Sequence, residues 1–448
     1  MSKKCAQGLL SFIEKSPSCF HVIENIRVEL EEAGYEELKE RDAWTLFPGG
    51  KYYVIRNGSS MIAFQIPGSE ADVTEAKAEP KDVIESGNLT DFKGFHIVAA
   101  HSDSPTFKLK EAPEILVEES YVKLNTEKYG GMILSTWMDR ALSVAGRVVV
   151  RGKDEETNVA LVNMDKDLCV IPNLAIHMNR DMNKGVEYNP QTDMLPLMSD
   201  VAESKGKGAL AELVAKEAGV SAEDILGQDL YLYVREKGRI LGENGEFVLS
   251  PKLDDLQCVY AGYRAFLEST PKDYINVCAI FDNEEVGSGT RQGADSTFLS
   301  DVLERIGECF STDRSLFLRR IAESFLISAD NAHAVHPNHP EKADPTNRPY
   351  LNRGIVIKYH GSQKYATDAV SAARMKTICE RAKVPFQTYA NRSDVPGGST
   401  LGNISTAHVS VMSVDIGLPQ LAMHSAVETA GTKDTLYAIM ALKEFWSE

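Results

Sequence analysis

The chain has 448 residues, 43% hydrophobic and 25% charged, with 65 acidic against 48 basic side chains and a net charge of −17. That length exceeds one ordinary core and predicts two domains of a globular protein. The acidic balance argues against nucleic acid as a partner, because neutralising phosphates takes a basic surface. Seven scattered cysteines with no CxxC pair argue against a disulfide framework or a zinc ribbon. The start lacks a signal-like apolar region and no apolar run reaches spanning length. The expectation is a cytoplasmic protein with no membrane partner.

In chain order, Cys5–Glu14 and Phe20–Ala33 predict helices, the second with Val22, Ile23, Ile26, Leu30 and Ala33 along one side. Tyr52–Ile55 and Met61–Ile66 flank Asn57-Gly58 and predict a hairpin. Thr74–Lys93 is polar and reads as a loop. Gly94–Ala100 is an apolar run, read as a buried strand, that ends in His101-Ser102-Asp103-Ser104-Pro105. Ile115–Leu124, Val144–Arg151, Leu161–Ile171 and Asp229–Val234 are short β-like runs. Only Gly208–Ala218 reads as a helix among them.

From Pro251 helices and strands alternate. Helices are expected over Leu253–Leu267, Ser296–Ile306, Ser315–Ser324, Thr367–Ala382 and Lys433–Trp446. Strands are expected over Ile275–Phe281, Phe325–Ala329, Ile355–Tyr359, Pro385–Ala390 and Ala407–Ile416. Such alternation implies an α/β fold with a mostly parallel central sheet covered by helices on both faces. The expected domains are residues 1–106 plus 246–448, a discontinuous α/β unit, and an inserted β-rich unit over 107–245.

The chemistry centres on Asp282-Asn283-Glu284-Glu285-Val286-Gly287-Ser288, where the strand Ile275–Phe281 runs into a turn. Open α/β sheets expose their chemistry at the carboxyl ends of strands. Adjacent residues leaving a strand point in different directions. One glutamate can therefore bind a metal while its neighbour takes a proton from the attacking water. His101 also ends a strand, with Asp103 two residues on and on the same face, where it can hold the second nitrogen of a ligating imidazole. Asp254-Asp255 opens a helix, Asp330 ends a strand, and His424 follows the turn Gly417-Leu418-Pro419. Each alone also reads as a charged cap or a polar loop residue. Together they are nitrogen and oxygen donors without sulfur, which suits zinc, with cobalt or manganese as alternatives. A bridging carboxylate with two further ligands per ion makes a two-metal site suited to hydrolysing an amide.

These segments carry a resemblance. His101-Ser102-Asp103-Ser104-Pro105, Lys252-Leu253-Asp254-Asp255-Leu256, the Glu284-Glu285 turn, Ser328-Ala329-Asp330-Asn331-Ala332-His333 and Ala422-Met423-His424-Ser425 resemble the M18 metalloaminopeptidases, whose best-known members are the aspartyl aminopeptidases. The resemblance spans nearly the whole chain. It implies a zinc-peptidase fold with two Zn2+ per subunit. His101 and Asp330 would hold one ion, Glu285 and His424 the other, and Asp254 would bridge them. Asp103 would orient His101, and Glu284 would be the general base that passes a proton to the leaving amine. The inserted β-rich unit would make dimer contacts, with dimers assembling into a tetrahedral homododecamer. Within Ile171-Pro172-Asn173-Leu174-Ala175-Ile176-His177, His177 would reach a neighbouring subunit's active site.

The resemblance also implies peptide substrates with an N-terminal Asp or Glu, which needs a cation near the first pocket. Lys358, Lys364 and Arg392 are candidates by position, and Gly398 lies in a stretch, Ser393–Thr400, that resembles the family's glycine-rich substrate loop. Some relatives favour leucine, so a neutral or hydrophobic first residue is the alternative, and a related metal-dependent deacylase is the rival enzyme. Gly287-Ser288-Gly289-Thr290-Arg291-Gln292-Gly293 has its third glycine one residue late for a dinucleotide loop. Gly397-Gly398-Ser399-Thr400-Leu401 lacks the closing glycine of a nucleophile elbow.

Overall fold

The computed structural model describes residues 1–68, 92–153, 156–204 and 207–448. The expected loop over Thr74–Lys93 therefore lies, apart from its last two residues, outside the described residues. The architecture is α/β, built on a nine-stranded mixed sheet. In spatial order its strands are Glu36–Glu37, Lys51–Arg56, Ser60–Gln65, Ile275–Phe281, Phe95–His101, Phe325–Ala329, Met412–Gly417, Ile355–Tyr359 and Phe386–Ala390. The four strands from Ile275–Phe281 to Met412–Gly417 run parallel to one another. Antiparallel pairings flank them, where Ser60–Gln65 meets Ile275–Phe281 and where Ile355–Tyr359 meets Met412–Gly417.

Burial on both faces explains why the central strands are continuous apolar runs. Every residue of Phe95–His101 and of Ile275–Phe281 is buried. Side chains alternate along an extended chain, so Val98 and Ala100 join one core while Ile97 and Ala99 join the other. The first core includes the helices Leu253–Leu267 and Asp434–Phe445; the second includes Phe298–Phe310. The hairpin Lys51–Arg56/Ser60–Gln65 turns through Asn57 and Gly58 at φ 59° and 70°, the two left-handed residues that a tight hairpin takes.

A second, six-stranded antiparallel sheet carries Thr106–Val117, Tyr121–Tyr129, Leu142–Arg151, Thr157–Asn163, Leu197–Asp200 and Ile225–Val234. It has its own core around Phe107, Leu124, Val144 and Leu230. Two expected elements differ here. Ile115–Leu124 is not one strand: Glu118 and Glu119, at φ 46° and 54°, fold it into a hairpin. Leu161–Ile171 ends as a strand at Asn163, because Asp165 turns the chain at φ 40°. Ala407–Ile416 likewise becomes a strand only at Met412, since its first residues close the short helix Leu401–Ser405.

A third sheet of five strands, Arg239–Leu241, Phe247–Ser250, Ala332–His333, Pro419–Leu421 and Glu428–Gly431, sits beside the carboxyl ends of the parallel strands. Its strands run two to four residues, too short for a period to register in sequence. They nonetheless place two expected site residues. Phe247–Ser250 delivers the chain to Asp254. The pair Leu421↔Thr429 closes the loop that carries His424. Among the described residues no helix is long and apolar enough to cross a membrane.

Candidate metal centre

Strand register brings the first residues together. Phe281 and His101 are partners at the ends of neighbouring parallel strands, so His101 and the turn from Asp282 to Glu285 leave the sheet side by side. Ala329 pairs with Ile416 one strand further on, which puts Asp330 at the same edge. Asp254 and Asp255 are assigned to the start of a helix but depart from helical geometry, at φ/ψ −82°/111° and −113°/20°. The expected helix-start acids are therefore turned inward. Both are buried.

Around His101, Nδ1 lies 3.1 Å from the Asp103 carbonyl oxygen and 3.3 Å from its Oδ1. That fixes the proton on Nδ1 and leaves Nε2 free as a donor atom. Nε2 faces Asp254 Oδ1 at 3.6 Å, Asp330 Oδ1 at 3.8 Å and Asp255 Oδ2 at 4.0 Å. Around His424, Nδ1 donates to the Gly131 carbonyl at 2.5 Å. Its Nε2 faces Asp254 Oδ2 at 3.5 Å and Glu285 Oε2 at 3.4 Å. Asp254 thus turns one oxygen toward each histidine. His101, Asp254, Asp255 and Asp330 form one cluster of potential ligands; Asp254, Glu285 and His424 form another; His101, Glu284 and Glu285 form a third.

These donors fit a metal. Asp254 Oδ1, Asp255 Oδ1 and Glu285 Oε1 are buried with no hydrogen-bond partner among the described residues, a costly arrangement for carboxylate oxygens unless a cation joins them. The nitrogen–oxygen separations are too long for good hydrogen bonds. They are near the ~3.3 Å that separates two ligands on one tetrahedral zinc with bonds of ~2.0–2.1 Å. The electrostatics agree. Burial works against a charged His101, but Asp255, Asp103, Asp254 and Asp330 hold its pKa well above the usual value. Burial pushes Glu284 up to about 8, helped by Asp330, Asp103 and Asp254 and opposed by His101. Burial and Asp254 push Glu285 well up. Carboxylates outnumber the cationic side chains in these clusters, so a metal cation would be favoured there.

Lys358 is the ammonium that reaches this cluster. It is 2% exposed, lies 3.3 Å from Asp330 Oδ2, and donates to the Asn331 carbonyl at 3.0 Å. Burial opposes its charge, but Asp330 raises its pKa. The other cations proposed for the first pocket are elsewhere engaged or open: Arg392 pairs with Asp394 at 2.8 Å, and Lys364 is exposed. Gly398 is exposed, and a Cβ there would meet nothing within 4 Å. Thr400, which ends that stretch, is anchored by its hydroxyl to Asp415 at 2.6 Å. His177 is exposed in a run, 172–178, that is exposed throughout. It is not part of any cluster of potential ligands among the described residues.

Three residues with evident roles carried no assignment from sequence. Asp255 Oδ2 accepts the His101 backbone N–H at 3.1 Å. Glu428, 1% exposed, accepts the backbone N–H of His424 at 2.7 Å and of Asp254 at 3.0 Å. It thereby ties a residue shared by two clusters to the loop of the second histidine. Tyr129 donates to Asp103 Oδ2 at 2.8 Å from the second sheet. No spacing rule encodes such long-range contacts. Only the glycine pair after Tyr129 is a signal, since glycine at a strand end marks close backbone approach.

Known proteins share this architecture. The family description "Aminopeptidase I zinc metalloprotease (M18)" matches residues 12–78 and 82–446. A "Probable M18 family aminopeptidase 2" of Clostridium acetobutylicum is 48% identical over 446 residues, 99% of this chain and 98% of the relative. A chain in the cryo-EM structure of the Ape4 and Nbr1 complex matches with TM-score 0.92 at 35% identity, covering 99% of this chain and 86% of that one. The mApe1 dodecamer of S. cerevisiae matches with TM-score 0.84 at 28% identity, covering 99% of this chain and 96% of that one.

Proposed function

The chain belongs to the M18 family of zinc metalloproteases, and from that membership we propose that it removes N-terminal residues, Asp and Glu foremost, from peptides, using two zinc ions and Glu284 as general base. The observation that carries this reading is Asp254, whose two oxygens face two different histidines. His101 and Asp330 would hold one ion and Glu285 and His424 the other, with Asp254 offering one oxygen to each set. Zinc, when bound, supplies Lewis acidity that acidifies water and polarises the scissile carbonyl.

The chain's own residues do the rest. Glu284 shares a cluster with His101 and Glu285 yet, unlike Glu285, is not grouped with Asp254 and His424. It takes the proton of the attacking water and delivers it to the leaving amine. Asp103 keeps the His101 proton on Nδ1 and accepts the backbone N–H groups of Glu284 and Glu285, each at 3.2 Å, so base and ligand share one anchor. Lys358 balances Asp330 and is the candidate cation for an acidic first side chain, and Gly398 is the candidate backbone contact of the substrate loop. The engagement of Lys358 with Asp330 is the observation that favours the second reading, a pocket for neutral first residues.

Residues 1–106 plus 246–448 would form the catalytic unit and 107–245 the oligomerisation unit; the core around Phe107, Leu124, Val144 and Leu230 supports the division, while Arg239–Leu241 pairs with Phe247–Ser250 across its second boundary. The S. cerevisiae mApe1 dodecamer supports a dodecameric assembly; its building from homodimers, its tetrahedral arrangement and the reach of the exposed His177 into a neighbour's site are part of the proposal. The seven free cysteines fit a reducing, cytoplasmic setting.

The test is a rate panel on zinc-loaded protein with chromogenic amides of Asp, Glu, Leu, Ala and N-acetyl-Asp. Cleavage of Asp and Glu amides with refusal of N-acetyl-Asp supports the proposal. Cleavage of Leu with refusal of Asp keeps the mechanism and moves the pocket to neutral residues. Cleavage of N-acetyl-Asp alone points to a deacylase.

A further inference from the structure

The strand Tyr121–Tyr129 of the second sheet runs out into Tyr129-Gly130-Gly131, which lies against the candidate metal centre of the other unit. The Tyr129 hydroxyl donates to Asp103 Oδ2 at 2.8 Å and accepts from Asn283 Nδ2 at 2.8 Å. Gly130 has φ +81°, and a Cβ there would lie 3.1 Å from the Cβ of Glu285 and 3.5 Å from its Oε2. The Gly131 carbonyl accepts from His424 Nδ1 at 2.5 Å. The segment stays attached beyond that: the Ile133 N–H donates to the His424 carbonyl at 2.9 Å, and Thr136 Oγ1 accepts from the Ala426 N–H at 2.9 Å.

A ligating imidazole needs its second nitrogen held, since that sets the ring's tautomer and direction. Gly131 does this directly for His424. Asp103 does it for His101, and Tyr129 holds Asp103. The same Asp103 carboxylate anchors the backbone of Glu284 and Glu285. One three-residue segment from the second sheet therefore reaches both histidines, the base and one carboxylate ligand. The bland account of Tyr129 is packing, since its ring meets Tyr231 edge-on at 5.5 Å. Phenylalanine keeps that contact, so it isolates the hydroxyl.

We infer that Tyr129-Gly130-Gly131 is a positioning strap by which the second sheet sets the ligand geometry of the metal centre, with Tyr129 as positioning residue for Asp103 and Gly130 as the spacer that admits the strap against Glu285. The inference rests on the proposed function for the identity of the ion. It predicts that metal affinity depends on a residue that touches no metal and belongs to the other sheet.

The test is Tyr129→Phe in the full chain. Zinc affinity is read by chelator competition, kcat and KM on the best amide of the panel, and amide hydrogen exchange over residues 283–287. The expected result is a zinc affinity lower by about 10- to 100-fold. With it come a lowered kcat at nearly unchanged KM and faster exchange at Glu284 and Glu285. Asn283→Gly keeps the left-handed backbone at φ 62° but removes the Tyr129 partner, and it should shift affinity in the same direction. A folded Tyr129→Phe protein with unchanged zinc affinity and unchanged exchange overturns the strap. If Tyr129→Phe does not fold, unchanged zinc affinity and exchange in Gly130→Ala, whose Cβ would lie 3.1 Å from the Cβ of Glu285, overturn it. A wild-type chain that binds no zinc overturns the functional reading instead, and the strap is then judged on exchange alone.

Discussion

Asp103 Oδ1 accepts the backbone N–H of Glu284 at 3.2 Å, across 181 residues of chain. The same carboxylate also accepts the Glu285 N–H and the Tyr129 hydroxyl and faces His101 Nδ1. Asp103→Asn would turn an amide NH2 toward some of them. It should lower kcat/KM by about 10- to 100-fold, the usual cost of losing a partner behind a metal ligand. Steady-state kinetics alongside zinc content checks this. Full activity in Asp103→Asn would mean that the Asp103 carbonyl, not its carboxylate, holds His101.

Glu428 makes a matching prediction at the other histidine. Its two oxygens accept separate N–H groups, from His424 and from Asp254. Glu428→Gln replaces one acceptor with a donor. Zinc affinity should fall about tenfold or more, read by competition with a chelator. Unchanged affinity would reduce Glu428 to a buried acid with no bearing on the metal.

His96 predicts a pH effect on stability away from the site. It is fully buried and stacked between Tyr274 and Phe445, at 3.8 and 4.4 Å between ring centroids. Its Nε2 lies 3.0 Å from the Arg374 guanidinium. Burial first, and Arg374 second, lower its pKa from 6.5 to about 3. The unfolded chain therefore binds this proton more readily, and the His96 contribution to stability is complete above pH 6.5 and is lost as pH falls toward 3. Between pH 6.5 and 5 the loss amounts to roughly 2 kcal/mol. Urea unfolding at pH 7 and pH 5 should show that difference shrinking in His96→Phe, which keeps an aromatic ring in the stack. An unchanged difference would assign the acid sensitivity to other groups.

The part of the site that was legible in sequence is the part written in consecutive residues. His101 and Asp330 directly follow apolar runs, and Glu284-Glu285 comes after one with two residues between, so strand-end chemistry could be read from position along the chain. Asp254 was harder. A helix-start acid has an ordinary electrostatic explanation, and only the φ/ψ departure at Asp254 and Asp255 turns these carboxylates inward. Glu428, Asp255 and Tyr129 were opaque because they act on backbone or side-chain atoms remote in sequence. The same holds for the fold. Long strands such as Ile275–Phe281 announce themselves, whereas the third sheet, with strands as short as Ala332–His333, has no period to detect. The hairpin at Glu118-Glu119 lies between two β-like runs, Ile115–Val117 and Tyr121–Leu124, that read as one strand when the polar Glu118-Glu119-Ser120 turn is passed over.

His177 offers a test of assembly. It is exposed and, among the described residues, outside its own chain's clusters of potential ligands, so the proposed role is one across an interface. His177→Ala mixed with Glu284→Gln should regain activity after subunit exchange, because some sites then combine an intact Glu284 with an intact neighbouring His177. No recovery with exchange verified by labelled subunits would remove His177 from the reaction.

The most direct measurement of the central claim is Glu284→Gln, with bound zinc counted by mass spectrometry beside single-turnover kinetics. The account predicts two zinc ions per subunit retained and turnover reduced by about 10²- to 10⁴-fold, because only the proton acceptor is gone. Loss of a zinc ion together with activity would make Glu284 a ligand and contradict the assignment of base and ligand within the Glu284-Glu285 pair.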